Sequence, residues 1–185
     1  MNHTKGSLAK EILLILAGGA IFSTIMLTPG LSSVLPSLIK TLSQRTGGQP
    51  RSIKNALFRL KGDRLIDFQE KNNMIILKIT DKGKKKTLMY KLEDLKITKP
   101  KKWDRLWRMV IFDIPEKRRN ARTALREKLQ ELGFYPLQKS CFVHPFECKD
   151  EIDFISEVFQ LAPYIHYVVA KSIEGEDFLK RHFGL

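Results

Sequence analysis

Apolar positions in the first third of the chain recur with the period of a helix. Residues 7–27, "SLAKEILLILAGGAIFSTIML", make one long apolar run, with Ser7 placed as a cap and the Gly18, Gly19 pair as a weak point. "TPG" at 28–30 ends it. In 31–46, Val34, Leu35, Leu38, Ile39 and Leu42 fall at helical spacing, and Gly47 and Gly48 close the segment. Pro50 suits a first helical turn. After it Ile53, Ala56, Leu57 and Leu60 form one apolar stripe, opposite Arg51, Ser52, Asn55 and Arg59.

Past Gly62 the period changes. "LIDFQE" and "MIILKIT" read as strands joined by the polar turn "KNN", and Thr80 is placed to cap a basic helix that opens "DKGKKK". Three helices followed by a two-stranded hairpin is the order of a winged helix-turn-helix. "KITKPKKWDRLW" reads as a linker in which Pro100 discourages a continuous helix, with Trp103 and Trp107 placed to pin one domain to the other. Beyond it the pattern runs strand "WRMVIFDIP", helix "EKRRNARTALREKLQELG", strands "FYPLQ" and "SCFVHPF", helix "KDEIDFISEVFQLA", strand "YIHYVVAKS" and a short helix "EGEDFLKRHF". That is the ferredoxin-like order, βαββαβ. The predicted fold is therefore α+β: a winged helix-turn-helix over residues 7–97, a linker over 98–106 and a ferredoxin-like domain over 107–185.

Charge sharpens this division. Residues 1–102 hold 20 basic and 7 acidic side chains, whereas 103–185 hold 13 of each, so the whole net charge of +13 lies in the first part. A field of that size calls for a polyanion, nucleic acid first. A helix in the major groove needs one apolar side for its own core and one polar side for base edges and phosphates. Arg51, Ser52, Lys54, Asn55 and Arg59 are the candidates for that side, Lys71, Asn72 and Asn73 for a wing tip, and Lys82, Lys84, Lys85 and Lys86 for attraction that weakens as salt rises. The bland alternative is a solvated basic face that binds nothing.

Cys141 and Cys148 supply neither a disulfide framework nor a paired zinc motif, which suits a reduced cytoplasm. With His144 they make a C-x2-H-x3-C string that lacks a fourth ligand, so they read as core and edge residues. The 16 uncharged residues 12–27 fall short of the ~18 to 20 that span a bilayer, so a buried helix is expected there and no membrane partner.

"VIFDIPEKRRNARTALREKLQELGFYPLQKSCFVHPF" resembles the CRISPR-associated Cas-two proteins: a first strand ending in an aspartate, a basic first helix and a Gln-x-Ser-x-Phe pattern. Here those are Asp113, Arg118 or Arg119, Gly133, Gln138, Ser140 and Phe142, and the resemblance runs from Trp107 to Lys180. The same domain stands behind a winged helix in PaaX-like transcriptional regulators, and the two-part architecture is more similar to these. That resemblance implies a cytoplasmic repressor that reads double-stranded DNA, forms a homodimer through the ferredoxin-like domain and needs no cofactor. PaaX-like regulators carry a further C-terminal region absent from these 185 residues, so no coenzyme A thioester site is carried over. The Cas-two resemblance implies an alternative: a Mg2+-dependent endonuclease, or an adaptation subunit partnered with a CRISPR integrase. Asp113 would then be the catalytic and metal-binding residue, one carboxylate from each of two subunits, because Mg2+ prefers hard oxygen ligands. Asp113 has a second reading, as the residue that closes a strand and accepts hydrogen bonds from the first N–H groups of the next helix. Arg118, Arg122 and Arg126 likewise read either as a phosphate track or as a solvated helix face.

Overall fold

The computed structural model describes residues 5–18, 31–71 and 74–185, and these divide between two compact units, Met1–Lys91 and Leu92–Leu185. The first unit holds α1 (Lys5–Ala17), α2 (Leu31–Thr46), α3 (Pro50–Gly62), β1 (Ile66–Lys71), β2 (Met74–Ile79) and most of α4 (Asp81–Glu93). Helix α1 begins before Ser7, which therefore lies inside the helix and does not cap it. The rest of the long apolar run and the "TPG" stop lie outside the described residues.

The apolar stripes converge. Leu8, Ile12 and Leu13 of α1, Leu38 and Leu42 of α2, Ile53, Leu57 and Leu60 of α3, and Ile66 and Leu77 of the hairpin form one buried core. Each such side chain contributes about 1.5–3 kcal/mol by leaving water, so the three helices are held by their shared stripe more than by local propensity. Strands β1 and β2 pair antiparallel, from Ile66 opposite Ile79 to Lys71 opposite Met74.

The junction of α3, hairpin and α4 is closely built. Thr80 Oγ1 donates to Arg64 O at 2.7 Å and accepts from Gly83 N at 3.0 Å, capping α4 as its place in the sequence suggests. Thr80 N donates to Leu65 O at 3.0 Å. Gly83 sits so near this carbonyl that a Cβ there would lie 2.0 Å from Leu65 O, so only glycine fits the first turn of α4.

The second unit begins inside α4. Leu92, Leu95 and Ile97 pack into its core, and β3 (Trp107–Phe112), a 3-10 turn (Glu116–Arg118), α5 (Arg119–Glu131), β4 (Tyr135–Gln138), β5 (Cys141–His144), α6 (Lys149–Val158), β6 (Ile165–Ala170) and α7 (Glu176–Phe183) follow. The sheet order is β4-β5-β3-β6 with every neighbouring pair antiparallel, which is the ferredoxin-like arrangement. Alternation along β3 divides the side chains between two faces. Val110 and Phe112 meet Leu125 and Leu129 of α5 and Ile152 and Ile155 of α6. Trp107 and Met109 meet Val143, Leu179 and Trp103 on the other face. The two tryptophans, expected to pin one domain to the other, thus pack in the second unit's own cluster, with rings 4.9 Å apart.

Candidate nucleic-acid interface

Helix α3 owes its orientation to its buried stripe. Ile53, Ala56, Leu57 and Leu60 point into the core, which leaves Arg51, Ser52, Lys54, Asn55 and Arg59 exposed on the opposite side of one short helix. No acidic residue stands in its thirteen. Arg51 and Lys54 have no protein partner among the described residues, so their cations are available to an outside anion. Pro50 opens the helix, and basic residues Arg59 and Lys61 in its last turn suit the negative end of the dipole.

The lysines of α4 are less equal than the sequence suggests. Lys82 Nζ donates to Asp63 O at 2.8 Å and helps fasten α4 to the end of α3. Lys84 pairs with Asp81 at 3.0 Å, an exposed contact of little strength. Lys86 lies over the Tyr90 ring, 4.7 Å from its centroid. Lys85 is exposed and has no partner among the described residues. Lys71 ends β1, and Asn72 and Asn73 lie outside the described residues. The structure therefore brings five candidate residues together on α3 and places Lys84 and Lys85 on a separate helix anchored to the α3–β1 connection.

One residue on this face escaped the sequence reading. Phe58 stands among the cations and is 48 % exposed. Its signal was available, because it lies off the stripe of Ile53, Leu57 and Leu60.

Asp113 follows the last residue of β3 and is exposed. Its backbone N donates to Tyr164 O at 3.0 Å, but its carboxylate accepts nothing among the described residues, and neither the 3-10 turn nor α5 has a side-chain cap. The capping role is therefore not what its side chain does. Among the described residues no three His, Cys, Asp or Glu side chains stand close enough to hold a metal ion. One carboxylate per chain does not fit a Mg2+ site within a single chain. Arg118 donates to Gln160 O at 2.5 Å, and Arg122 pairs with Glu116 at 2.7 Å, so these two guanidinium groups are engaged in local surface contacts.

Residues 100–180 match the family model described as PaaX protein central Cas2-like domain. Over those residues the chain is PaaX-like. A search of the curated proteins gives no match. No helix among the described residues is long and apolar enough to cross a membrane.

The Cas2-like domain keeps its polar groups for its own stability. Arg108 of β3 is only 3 % exposed, and its guanidinium donates to both carboxylate oxygens of Asp104, to Glu147 Oε2 at 3.1 and 3.2 Å, to Leu106 O at 2.8 Å and to Pro145 O at 3.0 Å. The bond from Arg108 holds the Asp104 carboxyl below its ordinary range. Burial opposes ionisation of Glu147, but bonds from Lys149 N, Arg108 and Tyr167 outweigh it and lower its pKa as well. Cys148 is buried beside the Tyr167 hydroxyl at 3.7 Å, and burial pushes its thiol up to about 12, which keeps it protonated and a poor nucleophile at neutral pH. His144 is buried against the rings of Phe134, Phe146 and Phe183, its Nδ1 accepts from Phe146 N at 3.2 Å, and burial lowers its pKa to about 4. The string Cys141, His144, Cys148 is thus core and edge chemistry.

Proposed function

We propose that this chain is a sequence-specific, double-stranded-DNA-binding transcriptional regulator of the repressor type, acting in the cytoplasm as a homodimer through its Cas2-like domain. The observation that carries the reading is the outward face of α3, with Arg51, Ser52, Lys54, Asn55 and Arg59, in the part of the chain that holds the whole net charge of +13. Asn55 is suited to the N6 and N7 of adenine, and Arg51 and Arg59 to the O6 and N7 of guanine. Lys54, Lys84 and Lys85 meet phosphates, with Lys71, Asn72 and Asn73 at the wing. Support also comes from the company this face keeps, since the PaaX-type domain follows it in the same chain.

Two features of the second unit support the homodimer. Ile111 of β3 and Val168 of the edge strand β6 are each 38 % exposed, and residues 103–185, which contain this sheet, carry no net charge to repel a second copy. Two copies joined there would present two reading helices to a palindromic site. A gel-shift titration with the DNA upstream of the protein's own gene, repeated at several salt concentrations, tests the reading. Tighter binding than to unrelated DNA at every salt supports it, and equal affinity throughout would sink it.

A second reading rests on Asp113, whose exposed carboxylate has no protein partner among the described residues. A Cas-two-type nuclease would bring two such carboxylates to one divalent ion across a dimer, and an adaptation subunit would engage a CRISPR integrase. Incubation of the chain with DNA and RNA in Mg2+ or Mn2+ decides the catalytic form: intact substrates remove it, and cleavage abolished in Asp113→Ala establishes it.

A further inference from the structure

We propose that Phe58 reads the methyl group of a thymine in the major groove, close to the base pair that Asn55 reads; this rests on the DNA-reading role of α3 given above. Successive helical residues are set roughly 100° apart, so Phe58 projects about 150° away from the direction in which Ile53, Ala56, Leu57 and Leu60 enter the core. It lies about 20° from Arg51 and about 60° from Asn55 around the helix. No small change in the packing of α3 would turn it inward. The residue is 48 % exposed, and no ring or cation contacts it among the described residues.

What covers this ring must tolerate its neighbours. Arg51, Lys54, Arg59 and Lys61 surround it on a helix without a carboxylate, so an apolar protein surface would have to desolvate cations to reach the phenyl group. The major groove offers anionic walls and, on a floor of polar base edges, a single kind of apolar group, the C5-methyl of thymine. Charge and hydrophobicity are thereby matched by one partner. Along the axis Phe58 is about 4.5 Å beyond Asn55, at 1.5 Å per residue, which is one to two base-pair steps of about 3.4 Å. The preferred site therefore contains an adenine, read by Asn55, and a thymine one or two pairs away.

The test is selection of duplexes from a random pool by the full chain, followed by replacement of each thymine of the winning duplex with deoxyuridine, which removes only the methyl. Burial of one such group corresponds to about fourfold in affinity. The expected result is one thymine at which uracil weakens the wild-type chain about fourfold and leaves Phe58→Ala unchanged. Phe58→Leu should retain part of the uracil penalty. The exposed ring makes Phe58→Ala melt with the wild type, and a variant that melts early is replaced by Phe58→Ser for the same comparison. If the chain selects no sequence, the DNA-reading role itself fails and the inference with it. If it selects a sequence in which no thymine is sensitive to uracil, or if Phe58→Ala keeps the wild-type penalty, the inference alone is overturned.

Discussion

Gly83→Ala adds one methyl group at the junction that sets α3, the hairpin and α4 in place. Its Cβ would lie 2.0 Å from Leu65 O and 2.7 Å from Ile79 Cγ1, and the first of these is backbone that no rotamer change can move. Reaching an ordinary contact of 3.4 Å requires the first turn of α4 to shift by about 1.4 Å. That shift breaks the Gly83 N to Thr80 Oγ1 cap, a loss of about 1 kcal/mol, and both bonds that Leu65 O accepts, from Thr80 N and Thr80 Oγ1, which orphans the carbonyl at a further ~1–3 kcal/mol. Against this, alanine is the better helix former by about 0.8–1 kcal/mol. The net expectation is a loss of about 2 kcal/mol, or roughly 8–16 °C in the melting of a unit of this size. Gly62→Ala is the control: a Cβ there meets nothing within 4 Å, so the helix former's advantage stands alone and the variant should match or exceed the wild type. Both tryptophans belong to the second unit, so tryptophan fluorescence follows residues 92–185 while far-ultraviolet circular dichroism follows both units. Gly83→Ala should lower the circular dichroism transition of the first unit and leave the fluorescence transition in place. A variant that melts at or above the wild type would refute the packing argument.

His144 supplies a pH dependence with a definite sign. Its folded pKa of about 4 lies below the ordinary 6.5, so on acidification the unfolded chain binds the proton first. The stability it contributes is complete above pH 6.5 and is lost as pH falls from 6.5 to about 4, on the order of 3 kcal/mol in all. Urea midpoints followed by tryptophan fluorescence should fall over that window in the wild type and flatten in His144→Gln; a wild-type profile without slope contradicts the burial of a neutral imidazole. On the DNA side, Asn55→Ala should weaken the preferred site by roughly 1–3 kcal/mol and spare unrelated DNA, whereas Lys85→Ala should weaken both equally and reduce the salt slope by about 1. The reverse pattern in gel shifts would exchange their roles. Asp113→Asn should leave operator affinity unchanged, and a tenfold loss would tie this carboxylate to the DNA-bound state.

Long-period and short-period hydrophobic patterns made most of the fold legible. The stripe Ile53, Ala56, Leu57, Leu60 settled both the existence of α3 and the face it turns outward, because helical geometry leaves little choice once one face is buried. The apolar run "WRMVIF" and the order of the later segments specified the ferredoxin-like sheet. Contacts between residues distant in sequence were not legible. Nothing local to Gly83 shows that Leu65 O will approach it, and nothing local to Arg108 shows that Glu147 will reach it. The capping role given to Asp113 failed for a related reason: the helix start lies beyond Pro115, and a 3-10 turn intervenes before α5. Phe58 carries no polar signal of a DNA-facing residue, although its angular position is already fixed by the stripe.

Genome-wide mapping of the DNA bound by this chain in its own cell bears on the DNA-reading role of α3 most directly. A small set of discrete sites that share one palindromic motif, lost in Asn55→Ala, is the result expected of two α3 helices reading an operator. Uniform coverage of the genome, or enrichment confined to CRISPR repeat arrays, would contradict it.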